Sequence, residues 1–495
     1  MHHPWFRGRR DRSRGRYLRL PPAPALAVGW IICAVVGTIV PLAAQQRDSA
    51  SRRDSSRAAR DSAILQREAN RIRKEPRGRI DTRALTSPTA VSPGQPLRLT
   101  RQEAIREALA HNPTIQVARE QIAQAEARVT QGYALPEPAI GVSVLGQSGV
   151  LRPHSATETD LTFGITVPFP DKIRLRGQVA RGDLGNIDQL YALQRQLVVL
   201  QTNKAYDSLL VSLRHREDLE EARRLNEDFL LKTRARFNAG TAAKLDVIKA
   251  QVAVAQSEND LIANTRGIAN ARAGLNRLLG RLLGASVEAA DTLGIPDSPP
   301  DFEQLERLAM ARRPELLGLA AQRAGALAAR RLAQQYFLPD VSVSVSRNTV
   351  YGNDAVYSTG VGIGLPLFPW QHQRGEVAET RHRDLELAAQ FRDLSAQVGE
   401  DLRNAYATAT TSLRQAIYIR DQLLPAAREQ YRVASVSYGL GGSSALEVID
   451  AQRTLLDAQT QYAAALAAAN DAMADLERAT GASFATDLNG ATNVR

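Results

Sequence analysis

Cysteine, methionine, histidine and aromatic residues are all scarce in this 495-residue chain, with one Cys, three Met, seven His and 5% Phe, Trp and Tyr. The one thiol, Cys33, sits in an N-terminal apolar stretch, so the rest of the chain can form no disulfide with itself, no thiolate zinc site and no thiol nucleophile. His111, His154, His215, His372 and His382 form no His-Glu-x-x-His, and only the last two lie ten residues apart or closer. Gly439-Leu-Gly-Gly442 lacks a following lysine and falls between two helical stretches, so it is no phosphate loop. An enzyme, a cofactor and a bound metal are therefore not expected. Few aromatics also means few stacking platforms for nucleic acid.

Charge excludes that class further. The net +11 is carried by residues 1–96, which hold 19 basic and 7 acidic side chains, leaving 44 and 45 for residues 97–495. A neutral body has no electrostatic footprint for a polyanion, whatever the pI. Long apolar runs are missing too, except for one from Ala23 to Ala44 behind Arg7, Arg9, Arg10, Arg12, Arg14, Arg16 and Arg19. A basic segment, an apolar run and small residues before Gln45-Gln46 read as an export signal over residues 1–44. An uncleaved anchor is the competing reading, because the run exceeds the usual ~7–15 residues. Trp30-Ile31-Ile32 before Cys33 is not a lipoprotein pattern. No later segment reaches the ~20 apolar residues of a spanning helix, so any membrane entry must be as a β-barrel. Residues 45–96 are an Arg, Ser and Asp-rich extension of low hydrophobicity, and 485–495 a short tail.

What is present is a duplication. Phe237-Asn-Ala-Gly-Thr-Ala-Ala-Lys-Leu-Asp-Val-Ile-Lys-Ala-Gln251 aligns with Tyr438-Gly-Leu-Gly-Gly-Ser-Ser-Ala-Leu-Glu-Val-Ile-Asp-Ala-Gln452 at an offset of 201. Gly280 and Gly481, and Asn112-Pro113 and Arg313-Pro314, keep that offset; it becomes 203 at Leu135-Pro136 and Leu338-Pro339, then 198 at Arg176-Gly177 and Arg374-Gly375. A period near 200 is too long for a solenoid unit, so residues 97–290 and 291–484 are two copies of one design.

Each copy opens with a helical stretch, about 99–135 and 301–338, that stops at Leu-Pro. Strands follow near 138–146 and 160–168 in the first copy and near 340–350 and 358–366 in the second, as in Leu161, Phe163, Ile165 and Val167 alternating with Thr162, Gly164 and Thr166. The non-apolar face is Gly, Ser and Thr with almost no charge, and the strands approach the ~9–11 residues that span a bilayer. Proline-aromatic corners then lead into helical regions of about 172–237 and 374–437, which at ~1.5 Å per residue reach roughly 100 Å. Returning helices begin near Ala242 and Ser444. In them Val247, Val254, Leu261, Ile268, Leu275 and Leu282, and Val448, Leu455, Tyr462, Ala469 and Leu476, recur at every seventh position, with a stripe of Ala451, Ala458, Ala465, Ala472 and Ala479 beside the second set. Strict sevens specify coiled-coil packing. Four strands cannot close a spanning barrel, for which eight is the minimum, so the chain must assemble from two, three or four copies.

These residues resemble the outer-membrane factors of tripartite efflux and type I secretion systems, the TolC family. The resemblance rests on Leu99-Thr-Arg-Gln-Glu-Ala-Ile-Arg-Glu-Ala-Leu109 before Asn112-Pro113, the duplicated Gly-x4-Leu-[Asp/Glu]-Val turn and Arg-Gly-x-Val-Ala after each strand pair. It implies a mainly α chain with a membrane β part: long coiled-coil hairpins forming a periplasmic α-barrel, and four strands per chain in a trimeric 12-stranded outer-membrane β-barrel. It implies a passive exit duct, a homotrimer in contact with outer-membrane lipid, served by a periplasmic adaptor (membrane fusion protein) and an inner-membrane pump. It implies that the turns at 238–245 and 439–446 are adaptor-contacting tips, with Asn238, Gly240, Thr241, Leu245, Asp246, Gly441, Gly442, Ser443 and Leu446. It also implies a periplasmic gate at Tyr438, Glu447 and Asp450, with Ser443 where some members carry an arginine.

Each of these has a plainer reading. Glu447 and Asp450, three apart, share a helix face that is either solvated surface or, under threefold symmetry, a ring of six carboxylates. Asp246 and Lys249 hold the same positions in the first copy with opposite signs, which argues against a second ring. Gly240 and Gly441 are placed to supply φ > 0 between helices. The alternative for the whole chain is a soluble periplasmic coiled-coil scaffold.

Overall fold

The computed structural model describes residues 97–145, 158–350, 355–364, 369–482 and 484. The export signal and the Arg/Ser-rich extension lie outside them. A short strand β1 (Leu97–Leu99) leads to α1 (Arg101–His111) and α2 (Pro113–Tyr133), strands β2 (Ala139–Leu145) and β3 (Glu158–Val167), and the long hairpin α3 (Pro170–Asn238) and α4 (Lys244–Leu278). Strand β4 (Val287–Ala289) closes the first copy, and the second follows: α5 (Phe302–Arg312), α6 (Pro314–Gln334), β5 (Asp340–Val350), β6 (Val356–Gly364), α7 (Pro369–Tyr418), a π-helical turn (Ile419–Leu423), α8 (Leu424–Leu440) and α9 (Ala445–Thr480). At ~1.5 Å per residue the 69 residues of α3 span roughly 100 Å.

Two expectations are corrected. The opening stretch of each copy is two helices, not one, because Pro113 and Pro314 push Asn112 and Arg313 to extended ψ values of 126° and 122°. The ends are then re-satisfied locally. Asn112 Oδ1 accepts from the Thr114 amide at 2.8 Å while its Nδ2 donates to the Leu278 carbonyl at 2.9 Å, tying this break to the end of the first hairpin. Leu282, expected in the heptad stripe, lies beyond the end of α4 and is exposed. Along α9 the stripes face inward: Val448, Leu455, Ala469 and Leu476, with Ala451, Ala458, Ala472 and Ala479, are buried, and Tyr462 and Ala465 are half-buried. The three-residue parallel ladder of β1 with β4 was not anticipated, and three residues carry too little periodicity to reveal it.

The duplication is visible in the core. Ala104, Ala108, Ile115, Val198, Leu209 and Leu275 form one buried cluster, and their counterparts Leu305, Ala309, Leu316, Val398, Ala409 and Leu476 form a second. Between Ser212-Leu213-Arg214 and Ser412-Leu413-Arg414 the offset is 200, and by Phe237 and Tyr438 it is 201. One extra residue has entered the long helical run of the second copy, between residues 414 and 438. The π turn absorbs it, with the Leu424 amide donating to the Ile419 carbonyl five residues back. The wide turn also accommodates Pro425, which has no N–H to give to the carbonyl of Asp421.

The four longer strands form one antiparallel sheet in the order β2-β3-β5-β6. Registers of Ile140 with Phe163, Ile165 with Val343 and Val343 with Val361 gather the apolar residues on one face. That face is bare: Ile140 is 73% and Val361 72% exposed. The other face carries Gly141, Ser143, Thr162, Gly164, Ser342, Ser344, Gly360 and Gly362. Lys172 at the start of α3 anchors the sheet to the helices, donating to the Leu338 carbonyl at 2.7 Å and to Asp340 Oδ1 at 2.8 Å. Just below, α3 and α6 cross so closely that a Cβ on Gly182 would stand 2.5 Å from Gly325 Cα. No described helix is long and apolar enough to cross a membrane.

Candidate functional site at the hairpin ends

The two hairpins end in repeat-related turns. Gly240 (φ +78°) follows α3 and Gly441 (φ +86°) follows α8, each in the left-handed region that a Cβ disfavours. The Gly240 amide donates to Phe237 O at 2.9 Å and the Thr241 amide to Arg236 O at 2.9 Å; the Gly441 amide donates to Tyr438 O at 3.1 Å and the Gly442 amide to Ser437 O at 2.9 Å. Asn238, Gly240, Thr241, Leu245, Gly441, Gly442 and Leu446 are exposed around these turns, with Ser443 and Asp246 half-buried.

Beyond the turns the copies differ. Ser444 caps α9 in a reciprocal box: the Glu447 amide donates to Ser444 Oγ at 3.3 Å and the Ser444 amide to Glu447 Oε2 at 3.4 Å. Ala243 stands at the matching position of α4 and offers no side-chain cap. Glu447 therefore has a local task independent of any pore. It and Asp450 lie exposed on one face of α9, less than a turn apart.

Tyr438 is not on a free rim. It is 4% exposed, its ring centroid 5.1 Å from that of Phe229 and its hydroxyl donating to Thr233 Oγ1 at 3.3 Å. Arg236 closes the arrangement: its guanidinium lies 4.7 Å from the Tyr438 ring centroid, Nη1 donates to the Tyr438 carbonyl and Nη2 to the Thr241 carbonyl at 3.3 Å. Phe229, Thr233 and Arg236 belong to α3 and Tyr438 to α8, so the end of one hairpin is tied to the end of the other. Arg236 was missed in the sequence. The repeat does not single it out, since its counterpart Ser437 is one mismatch among several around the turn. Further along, Gln452 Nε2 donates to Ala222 O at 2.8 Å and Gln459 Nε2 to Glu221 Oε2 at 3.0 Å, holding α9 on α3.

Titration behaviour at this helix pair is set by burial. Desolvation, with nearby Asp207 adding to it, pushes the Asp471 carboxyl up to about 6, and desolvation raises Asp218 on α3 despite Arg214. No three His, Cys, Asp or Glu side chains among the described residues are placed to hold a metal ion.

Residues 104–281 and 305–482 each match the family described as outer membrane efflux protein. The chain belongs to that family. Among curated relatives, cobalt-zinc-cadmium resistance protein CzcC of Cupriavidus metallidurans is 29% identical over 50% of this chain and 58% of its own length, so that match spans less than two thirds of the relative. Nodulation protein T of Rhizobium leguminosarum bv. trifolii is 22% identical over 73% of this chain and 81% of its own. Among solved structures, the outer membrane protein VceC of Vibrio cholerae superposes with a TM-score of 0.64 at 19% identity, covering 78% of this chain and 96% of that one. The Campylobacter jejuni CmeC outer membrane channel gives 0.64 at 14% identity over 79% and 89%. The fold is that of these outer membrane channels, and the two matched segments of this efflux family coincide with the two copies of the internal repeat.

Proposed function

We propose that this protein is the outer-membrane exit duct of a tripartite efflux or secretion system, a passive homotrimeric conduit without catalytic activity. The observation that carries the reading is the bare apolar face of a four-stranded sheet with two open edges, mounted on helices of roughly 100 Å. A scaffold in water would leave Ile140, Val142, Phe163, Val343, Val361 and Ile363 wetted on one continuous face, whereas lipid covers that face once the edges are paired between copies. Three chains of four strands make the even-numbered barrel of 12.

In this reading the turns at 238–245 and 439–446 meet a periplasmic adaptor that links the duct to an inner-membrane pump. Leu245 and Leu446, both 59% exposed, supply apolar anchors, with Asn238, Gly240, Thr241, Asp246, Gly441, Gly442 and Ser443 shaping the surface. Glu447 and Asp450 ring the constriction, and Tyr438 holds each second hairpin against the first. Ser443 cannot supply the cation of an arginine-tied gate; Arg236, from the opposite hairpin, can. Detergent-extracted protein from outer membranes is expected to run as a trimer and to open ion-conducting channels in planar bilayers. Recovery as a monomer from the soluble periplasmic fraction refutes the reading.

A further inference from the structure

A single charge stands on the apolar face of the sheet. Arg347 of β5 faces the same way as Val341, Val343 and Val345, and it is the only charged side chain on that face among the described residues of the four long strands. The acids of these strands, Glu158, Asp160 and Asp340, all fall on the opposite face. Directly across from Arg347 are Leu161 on β3 and Tyr357 on β6, neither of which can neutralise a guanidinium. All three are exposed, Tyr357 to 72%, and Arg347 forms no ion pair with a described residue. Its counterpart in the first copy, at the offset of 203, is the apolar Val144. The charge is also placed at one level. Arg347 lies six residues beyond Val341, roughly 20 Å along the strand and ~15 Å up a barrel whose strands tilt by ~40°. Phe169 and Phe337, both exposed beside the helix-proximal ends of β3 and β5, carry the apolar zone further down. An apolar band is ~25 Å tall between aromatic girdles, so Arg347 and Tyr357 come at its far rim, where the arginine stem lets the guanidinium reach the headgroups. Beyond them the same face turns polar with the facing pair Thr159 and Thr349.

We infer that Arg347, with Tyr357 beside it, binds the phosphate of a phosphorylated glycolipid in the outer leaflet of the membrane. The planar fork of a guanidinium matches two phosphate oxygens, and no carboxylate on that face competes for it. At the rim of the bilayer, with lipid on one side, the pair is less screened than it would be in water. Tyr357 lays its ring along the acyl boundary and turns its hydroxyl to the headgroup level. A neutral lipid leaves the guanidinium without a counter-charge, and a free anion makes no use of the apolar wall formed by Leu161, Val345 and the Tyr357 ring. The leaflet follows from the direction of the strands, since the helices leave the sheet at the end opposite Arg347. At the helix-proximal end Lys172 is already paired with Asp340, and Arg174 with Asp171. This rests on the duct reading and deepens it, by naming the lipid chemistry that one position of the barrel recognises.

The test is native mass spectrometry of the full-length protein, extracted from outer membranes, stripped of lipid in detergent and titrated with lipid A carrying two phosphates. Parallel titrations use lipid A without phosphates, phosphatidylglycerol and inorganic phosphate. The unaltered protein should bind the phosphorylated lipid A about tenfold more tightly than the phosphate-free form, the loss expected when a charge-assisted hydrogen-bonded pair is removed. Arg347→Gln should bind both forms equally, at the weaker level, and Arg347→Lys should fall between, since an ammonium keeps the charge but not the fork. Unchanged preference for the phosphorylated form in Arg347→Gln overturns the site. Equal binding of the two lipid A forms by the unaltered protein overturns it too, and that comparison decides even where Arg347→Gln assembles poorly. Displacement of the lipid by an equal concentration of inorganic phosphate reassigns the position to free anions, and phosphatidylglycerol binding as tightly as lipid A removes the outer-leaflet glycolipid; either result overturns the inference. A conducting trimer whose lipid binding ignores Arg347 leaves the duct standing without this site, whereas a monomer recovered from the soluble periplasmic fraction overturns both.

Discussion

Replacing Arg236 by Gln removes the guanidinium that bridges the hairpin ends while keeping a long polar side chain of good helix propensity. Two interactions go. The cation over the Tyr438 ring at 4.7 Å is worth about 0.5–1 kcal/mol at a half-exposed site. The charged donations to the carbonyls of Tyr438 and Thr241 are worth about 1.5–3 kcal/mol before solvent competition. Because Arg236 is half-buried, about 2 kcal/mol is the net loss expected, which is roughly a factor of 30 between tied and untied hairpins in each copy. Phe229 and Thr233 still hold the Tyr438 ring, so the chain should assemble normally. The expected result is a higher open fraction and larger mean conductance of single channels in planar bilayers, with cells more sensitive to a large hydrophilic antibiotic. Arg236→Lys should fall between, since an ammonium keeps the charge but not the fork. Unchanged open fraction in Arg236→Gln, with the same trimer yield, refutes the tie.

Four other outcomes follow from named contacts. Asp471 has a folded-state pKa of about 6, above the ordinary carboxylate value, so its charged form costs stability above that pH and the cost fades as pH drops towards 4; Asp471→Asn should therefore raise the melting temperature at pH 7.5, by about 1 kcal/mol equivalent after allowance for solvent, and do nothing at pH 4.5. Gly182→Ala drives a methyl into the Gly325 backbone and should destabilise by about 1–3 kcal/mol, whereas Gly375→Ala, which meets nothing, should be neutral or slightly stabilising in thermal melts. Glu447→Gln with Asp450→Asn keeps the Ser444 box while removing charge, and should lower the cation preference of single channels; equal loss from Asp246→Asn would return these acids to plain surface. Valine at both Gly240 and Gly441 costs about 1–2 kcal/mol per turn at φ near +80° and should abolish efflux with the trimer intact.

Periodicity explains what could be read in advance. The sevens of α9 and the alternation of β3 and β5 are repeated often enough to outvote local noise, and they placed the long helices and the apolar sheet face. Features carried by one or two residues were harder. The helix breaks at Asn112-Pro113 and Arg313-Pro314 were seen as repeat anchors but not as breaks, although proline's effect on the preceding residue dictates them. Ser444-x-x-Glu447 is a capping-box pattern, and its glutamate also belongs to the acidic pair with Asp450, so the sequence supports two roles for one side chain. The π turn was encoded as a change of offset from 200 to 201 inside a helix. Side chains that meet across the fold, such as Arg236 and Tyr438, leave no spacing in the sequence, since 202 residues separate them.

Two differences between the hairpins of the two copies fall in one direction. The first hairpin runs as an unbroken α3 of 69 residues into a turn without a side-chain cap. The second is broken by the π turn before a 17-residue α8, then restarts under the Ser444 box. A wide turn has poorer hydrogen-bond geometry than the α-helix around it, so bending α8 about residues 419–423 costs less than bending α3 anywhere along its length. With Pro425 unable to bond back to Asp421, that point has one fewer restraint still. The cap holds the start of α9 independently of α8, and Tyr438 is the residue of α8 that the first hairpin grips. A duplicated hairpin has thus diverged into a rigid member that supplies Arg236, Phe229 and Thr233, and a jointed member that they hold. On the proposed duct reading, opening at this end is expected to begin with release of Tyr438 from α3 and to bend the second hairpin at the π turn rather than α3.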